Sequence, residues 1–314
     1  MQNFLLYSGN NNIPLTQEVA KHLNIRLGKR KIATFSDGEC QIEILDNVRG
    51  KNIFILQSLC SPTNNSIMEL MFLIDALRRA AALHITAIIP YFGYARQDRK
   101  LKFARVPLSS RVIADMLTNV GLDRLLTIDI HSEQILGFFN IPLDNISGST
   151  LLAEHLKKQN IKNPIVVSPD VGGIVRARTM AEHLNTNLAI IDKRRQKANE
   201  SEVMNIIGNV KDKNCIIIDD IIDTAGTLCK AAAALIKLQA KSVIACCVHP
   251  VLSGNALANI SNSPLKQLIV TNSINIDKKQ KICKKIHVVS IGWLVAKTIE
   301  KLNNEKSISQ MFKI

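Results

Sequence analysis

The run Ile216-Ile217-Ile218-Asp219-Asp220-Ile221-Ile222-Asp223-Thr224-Ala225-Gly226-Thr227 constrains the fold more than any other stretch of this chain. Three consecutive β-branched residues read as a strand buried on both faces, the state of a parallel sheet covered by helices. Asp219 and Asp220 stand where that strand is expected to end, and a short loop of small and hydroxyl residues follows. Leu228 to Gln239, with an alanine run at 231–234, then has the composition of a helix. The order strand, small-residue loop, helix aims backbone N–H groups and the positive end of a helix dipole at an anion. Adjacent carboxylates beside such a loop can accept hydrogen bonds from sugar hydroxyls. The stretch therefore reads as a sugar-phosphate site, against the plainer alternative of solvent-facing acids on an ordinary connection.

The rest of the chain repeats the alternation. Phe4–Tyr7, Asn52–Gln57, Ile85–Pro90 and Leu125–Ile130 read as strands, with helices expected over Pro14–Leu27, a segment after Ser66, and Ser109–Val120. Ser66 and Glu69 have the spacing of a capping box ahead of the apolar face Ile67, Leu70, Met71, Ile74 and Leu77. The pattern restarts near 142–149. Strands are then expected at 164–168, 188–192, 215–219, 243–248, 268–271 and 286–290, with a last helix over Trp293–Asn303. Alternating strands and helices over 314 residues predict an α/β protein of two tandem domains, each a mainly parallel sheet covered by helices. The boundary is expected at 147/148, with the last helix able to pack back on the N-terminal domain.

Charge and composition narrow the function classes. The formal charge is +14, and its clusters include Arg96, Arg99, Lys100, Lys102 and Arg105, and then Lys193, Arg194, Arg195 and Lys197. Both follow expected strands, where α/β enzymes carry ligand loops. Lys278, Lys279, Lys281, Lys284 and Lys285 read as a solvated face. Aromatic residues are only 4% of the chain, which argues against base stacking on single-stranded nucleic acid, so small polyphosphate ligands suit the basic excess better. No apolar run approaches the ~18–20 residues of a membrane span. The N-terminus lacks the features of a signal peptide, and the seven cysteines show no CxxC spacing. These features predict a cytoplasmic protein with reduced thiols.

Four other constellations carry possible chemistry. Asp129 and His131 close an expected strand, where residues i and i+2 share a face; they read either as a metal-binding pair or as a structural hydrogen bond. Asp170, before Val171-Gly172-Gly173, reads as a ligand or as a helix cap. Lys193, Arg194 and Arg195 follow a buried strand and read as a loop that stabilises a transferring phosphoryl group, or as a solvated turn. Phe35-Ser36-Asp37-Gly38-Glu39 offers one aromatic face and two acids, suited to a base and its exocyclic amine.

Together these segments resemble the ribose-phosphate diphosphokinase family, also called phosphoribosyl pyrophosphate synthetases. The resemblance runs from Ser8-Gly9-Asn10 to Phe312 and includes Asn47-Val48-Arg49-Gly50, Pro90 to Arg99, Asp129 to Asp144, Asp170 to Arg178, Asp192 to Arg195 and Asp219 to Thr227. It implies Mg2+-dependent transfer of the β,γ-diphosphoryl group of ATP to the 1-hydroxyl of ribose 5-phosphate. It further implies ATP contacts from Phe35, Asp37, Gly38, Glu39, Arg96, Gln97 and Arg99, some supplied by a neighbouring subunit of a homohexamer. His131 and Asp170, with Asp129 a weaker candidate, are the implied metal ligands, and Lys193 and Arg195 the implied catalytic cations. Arg195, Asp219, Asp220, Asp223, Thr224, Ala225, Gly226 and Thr227 are the implied ribose 5-phosphate site, and Arg49, Ser307 and Ser309 match a regulatory phosphate or ADP site. A phosphoribosyltransferase or a non-catalytic regulatory relative are the competing expectations. Position 225 departs from the family, which usually has glycine there. If φ is positive at that position, alanine costs roughly 1–2 kcal/mol.

Overall fold

The computed structural model describes residues 4–100, 104–194 and 203–309, with only the main chain at 193, 194, 203 and 204. The chain forms two compact units, one of residues 1–147, 273–275 and 291–314, the other of 148–272 and 276–290.

In the first unit, β1 (Phe4–Ser8), α1 (Ile13–Leu23), β2 (Arg30–Thr34), β3 (Cys40–Ile44), β4 (Asn52–Leu56), α2 (Thr63–Arg79), β5 (His84–Ile89), α3 (Ser109–Asn119), β6 (Arg124–Ile128) and β7 (Leu143–Ile146) follow in order. Five strands form a parallel sheet in the order β1-β4-β5-β6-β7, and β2 and β3 form a separate antiparallel hairpin. Strands β4 and β5 are almost wholly buried, as continuous apolar runs in a parallel sheet must be. Ile53, Ile55, Ile85 and Ala87 pack in one core with Leu70, Leu73, Ile74 and Leu77 of α2.

Two helix expectations here are corrected. Helix α1 stops at Leu23, not Leu27, because Asn24 turns left-handed (φ 52°) and the Ile25 N–H returns to the Ala20 carbonyl, an asparagine version of the Schellman stop. Helix α2 starts at Thr63, directly after Pro62, so Ser66 and Glu69 lie inside it and form no capping box. The Ser66 hydroxyl donates back to the Thr63 carbonyl at 2.8 Å. Glu69 is buried, its Oε1 accepting the Asn10 N–H at 2.6 Å and the Gln57 amide at 2.9 Å.

The second unit runs α4 (Ser149–Lys158), β8 (Pro164–Ser168), α5 (Ile174–His183), β9 (Asn187–Arg194), β10 (Val203–Ile207), β11 (Asn214–Ile222), α6 (Gly226–Lys237), β12 (Ser242–Pro250), α7 (Ala256–Asn262), β13 (Leu265–Thr271), α8 (Asp277–Ile282) and β14 (Ile286–Val289). Its sheet has the order β10-β9-β8-β11-β12-β13-β14, parallel except where β10 pairs antiparallel with β9. The basic cluster at 278–285 is not a uniformly solvated face. Lys279 Nζ donates to the Val251 and Leu252 carbonyls at 2.7 and 3.0 Å, and Lys285 Nζ to the Ile260, Ser261 and Ser263 carbonyls at the end of α7. Cations satisfying the last carbonyls of a helix are stabilising for electrostatic reasons that sequence patterning does not reveal.

The chain then returns to the first unit as α9 (Gly292–Asn303), which buries Leu294, Val295, Ala296 and Ile299. A Cβ at Gly292 would lie 2.6 Å from Glu18 of α1, so glycine permits close approach of these helices.

Candidate active site

The strand order of the second sheet places its ligand crevice. From β8 the chain moves outward to β9, whereas from β11 it moves the other way to β12, so the winding direction reverses between β8 and β11. In open α/β sheets, ligands bind beyond the carboxyl ends of the strands at such a reversal. Asp170 follows β8, and the 219–227 segment closes β11 and enters α6. The first sheet, β1-β4-β5-β6-β7, has no reversal.

Strand β11 runs to Ile222, three residues past the end expected at Asp219. Its pairing with β8 stops at Ile217, while pairing with β12 continues to Ile222 opposite Pro250. Asp220 is therefore a strand residue, as Asp219 was expected to be, and both lie beyond the last paired residue of β8. Asp220 is 5% exposed, and its N–H donates to Asp219 Oδ1 at 2.9 Å. Burial, and then the neighbouring Asp220 carboxylate, push the Asp219 carboxyl up to about 7, with Arg176 opposing the rise. The Arg176 guanidinium lies 3.2 Å from Asp220 Oδ1 and 3.6 Å from Asp219 Oδ1. Arg176 was not among the expected site residues. A cation in the first turn of a helix opposes the helix dipole, and that mismatch in α5 is the signal that could have singled it out.

The loop after the acids has the geometry of an anion cradle. Ala225 takes φ 60° and ψ 4°, the left-handed region, and caps α6, whose first bond runs from the Cys229 N–H to the Ala225 carbonyl at 2.9 Å. The expected alanine cost is therefore present. Gly226 behaves differently. A Cβ there would meet nothing closer than Thr224 Oγ1 at 3.9 Å, and its φ is not positive. Packing does not demand glycine at 226, whereas close approach of a ligand to the main chain would. Asp170 Oδ1 accepts the Gly173 N–H at 2.9 Å, a cap-like bond just ahead of α5 that fixes its carboxylate at the same sheet edge.

In the first unit, Phe35, Asp37, Gly38 and Glu39 form the exposed tip of the β2–β3 hairpin. The tip is closed by Phe35 N–H to the Glu39 carbonyl at 2.8 Å, and Gly38 takes φ 98°. Phe35 is 50% exposed, an aromatic face presented to solvent by a paired ribbon. The 91–99 loop alternates buried anchors with exposed polar side chains. Ala95 and Asp98 are buried while Arg96, Gln97 and Arg99 are exposed. Gln134 holds Asp98 through its main-chain and side-chain oxygens at 2.9 and 2.7 Å. The Ser110 hydroxyl holds the Gln97 carbonyl at 3.0 Å, and Ser109 bonds the Gln97 side chain.

The strand alternation from which a shared face was expected for Asp129 and His131 does not reach them. Strand β6 ends at Ile128 and Asp129 takes φ 38°, so alternation does not carry past Ile128. His131 is exposed on the following turn. Among the described residues, no three His, Cys, Asp or Glu side chains converge into a metal site. Lys193 lies on β9 opposite Met204, its side chain outside the described set, and Arg195 lies outside the described residues altogether. Arg49 and Ser307 and Ser309 are exposed, Arg49 on the turn leading to Gly50 and the two serines beyond α9, where Ser309 N–H donates to Ser307 Oγ at 3.2 Å.

Comparison with known proteins agrees with this geometry. Residues 4–121 match the N-terminal domain of ribose phosphate pyrophosphokinase, and residues 141–282 match the phosphoribosyl transferase domain. The ribose-phosphate pyrophosphokinase of Ralstonia nicotianae is 54% identical over 311 residues, 99% of this chain and 98% of its own. That of Vibrio parahaemolyticus is 52% identical over 313 residues, covering 99% and 100%. The crystal structure of phosphoribosylpyrophosphate synthetase from Mycobacterium smegmatis superposes with a TM-score of 0.91 at 36% identity, over 96% of this chain and 99% of that one. Matched along nearly its whole length in sequence and in fold, the chain belongs to the ribose-phosphate pyrophosphokinase family.

Proposed function

We propose that this chain transfers the β,γ-diphosphoryl group of ATP to the 1-hydroxyl of ribose 5-phosphate, releasing AMP and 5-phosphoribosyl 1-diphosphate. The observation that carries the reading is the reversal between β8 and β11, where an acid pair, Asp220 buried and Asp219 partly so, leads into a loop with a glycine that packing does not require. In this reading Asp219 and Asp220 accept hydrogen bonds from the ribose hydroxyls, and Asp223 to Thr227 take the 5-phosphate on main-chain N–H groups at the start of α6. Phe35 stacks on adenine, Asp37 and Glu39 meet its amine, and Arg96, Gln97 and Arg99 hold the phosphates. Lys193 and Arg195 meet charge on the transferring group, where cationic positioning supplies most of the catalysis of phosphoryl transfer.

An ATP-using pyrophosphokinase generally needs a divalent metal. In this reading Asp170 and His131 are each a candidate ligand, one a hard oxygen and the other an imidazole. Mg2+ keeps several waters and takes substrate phosphate oxygens as ligands, so few protein ligands are needed in this reading. Bound there, Mg2+ would neutralise charge on the ATP oxygens. The exposed hairpin tip suits use by an adjacent copy, so the active form is read as a homohexamer, working in the cytoplasm. Arg49, Ser307 and Ser309 are assigned to a regulatory phosphate or ADP site.

The test is incubation with ATP, ribose 5-phosphate and Mg2+ while following AMP. AMP formed only when all three are present supports the reading, and no AMP at any inorganic phosphate concentration removes it. Sedimentation gives the subunit number.

A further inference from the structure

The 251–255 connection and α7 lie against the loop that closes β11, although no feature of their sequence marks them as functional. Four bonds join the two segments. Leu252 N–H donates to the Ile222 carbonyl at 3.0 Å, and Ser253 N–H to the Asp223 carbonyl at 3.2 Å. The Asn259 side-chain amide donates to the Thr224 carbonyl at 2.9 Å, and the Ser253 hydroxyl bonds Asp223 Oδ1. Lys279 secures the base of this connection through the Val251 and Leu252 carbonyls.

The pattern has a specific electrostatic meaning. Residues 222, 223 and 224 offer three successive carbonyl oxygens, and each is taken by a donor from the same neighbouring segment. In a trans peptide the carbonyl of one residue and the N–H of the next point in opposite directions. The sole cis bond among the described residues is Ser61–Pro62, so the peptides of this loop are trans. Tying back the Thr224 carbonyl therefore turns the Ala225 N–H the other way, away from Asn259. A carbonyl facing a phosphate dianion repels it, whereas successive N–H groups make an anion-binding concavity.

We propose that Asn259, assisted by Ser253, is a positioning residue for the sugar 5-phosphate, orienting the Thr224–Ala225 peptide so that its N–H and not its carbonyl faces the anion. The inference rests on the reading of Asp223–Thr227 as the 5-phosphate loop. Asn259 itself touches neither substrate. Its effect falls on binding of the phosphate end, which is the same in the ground and transition states and so appears in KM and not in kcat.

The experiment uses the full-length protein and three measurements on wild type, Asn259→Ala and Asn259→Asp. These are kcat with the KM of each substrate, the Kd of ribose 5-phosphate by titration calorimetry without ATP, and the melting temperature. Loss of one oriented hydrogen bond predicts a KM and Kd for ribose 5-phosphate raised roughly fivefold to tenfold in Asn259→Ala. The KM of ATP and kcat should stay within about twofold, as expected for uniform binding. Asn259→Asp keeps the size, loses the amide donor and adds a negative charge, so its ribose 5-phosphate affinity should be the poorer of the two. An unchanged Kd in Asn259→Ala overturns the proposal, as does a parallel fall in every parameter that follows a lowered melting temperature. If wild type binds ribose 5-phosphate and forms AMP while Asn259→Ala is unaltered, only this inference fails. If wild type forms no AMP, the functional reading fails first.

Discussion

Gly226→Ala should move stability and substrate affinity in opposite directions. Gly226 is the first residue of α6, its φ is not positive, and a Cβ would find its nearest neighbour 3.9 Å away at Thr224 Oγ1. The substitution thus meets no steric penalty within the folded chain. It lowers the conformational entropy of the unfolded chain, a stabilisation of about 0.4–1 kcal/mol where the backbone is compatible. At the ~2–4 °C per kcal/mol seen for domains of 150–250 residues, the melting temperature should rise by about 1–4 °C. In the proposed binding mode the same methyl stands beside the main-chain N–H groups that receive the 5-phosphate. Holding a dianion even ~1 Å further from the N–H groups weakens several charge-assisted hydrogen bonds, each worth roughly 1.5–3 kcal/mol. The KM of ribose 5-phosphate should rise by at least about tenfold, the equivalent of ~1.4 kcal/mol. Calorimetry and initial-rate kinetics on one preparation read both effects. A variant that melts higher and binds ribose 5-phosphate as tightly as wild type refutes the reasoning, because Gly226 would then serve neither packing nor ligand.

Ala225→Gly should be nearly neutral, within ~1 kcal/mol by melting. Relief of a left-handed alanine (about 1–2 kcal/mol) is offset by unfolded-state entropy (about 0.4–1) and loss of a buried methyl (~0.8). Its KM for ribose 5-phosphate should hold within about twofold, since the backbone already has a conformation glycine favours. Gly93→Ala would drive its methyl into the Leu59 carbonyl oxygen, with Thr63 Cγ2 2.9 Å away. An overpacking cost of ~1–3 kcal/mol should lower the melting temperature, and the KM of ATP should rise as Arg96 and Gln97 shift. Arg176→Gln removes the cation that holds down the Asp219 carboxyl, so that carboxyl should titrate above its present value of about 7. The acid limb of kcat/KM for ribose 5-phosphate should then move to higher pH; an unmoved limb would separate Arg176 from the acid pair. For stability, the folded-state value lies above the ordinary 3.8, so the folded form binds more protons between the two. The Asp219 contribution is complete below 3.8 and is lost as pH rises through about 7. In Arg176→Gln that loss should extend to higher pH, readable from melting temperature against pH.

The α/β class and most strands were legible because buried parallel strands leave unbroken apolar runs, as at 53–56 and 215–218. What was not legible depended on partners distant in sequence. The three residues of β11 past Asp219 exist because β12 continues alongside them, and propensity does not carry a strand through a second aspartate. The Ser66–Glu69 spacing imitates a capping box, but Glu69 is engaged by Gln57 and Asn10, far away along the chain. The alternation used to place Asp129 and His131 ends with β6 at Ile128, and Asp129 takes a positive φ. Strands β2 and β3 were passed over because each is only half-buried and neither joins a larger sheet, so the 35–39 segment read as a bare loop and not as the tip of a ribbon. Asn259 makes its contact with the Thr224 carbonyl across a distance that no local spacing encodes, whereas Arg176 left only the trace of a cation in the first turn of α5.

The return of α9 to the first unit has a consequence for synthesis. That unit is built from 1–147 together with 273–275 and 291–314, so the second unit is in effect an insertion within it. Asn12 and Ser58 bond the Ser273 carbonyl, and α1 packs on a helix made nearly 270 residues later. On the ribosome the N-terminal sheet emerges first but waits for α9, while the second unit completes its last strand, β14, at Val289, before α9 begins at Gly292. The order of folding should therefore invert the order of translation, with the later-made unit closing first. The interval in which α1 lacks its partner is set by elongation, at about 5–20 residues per second.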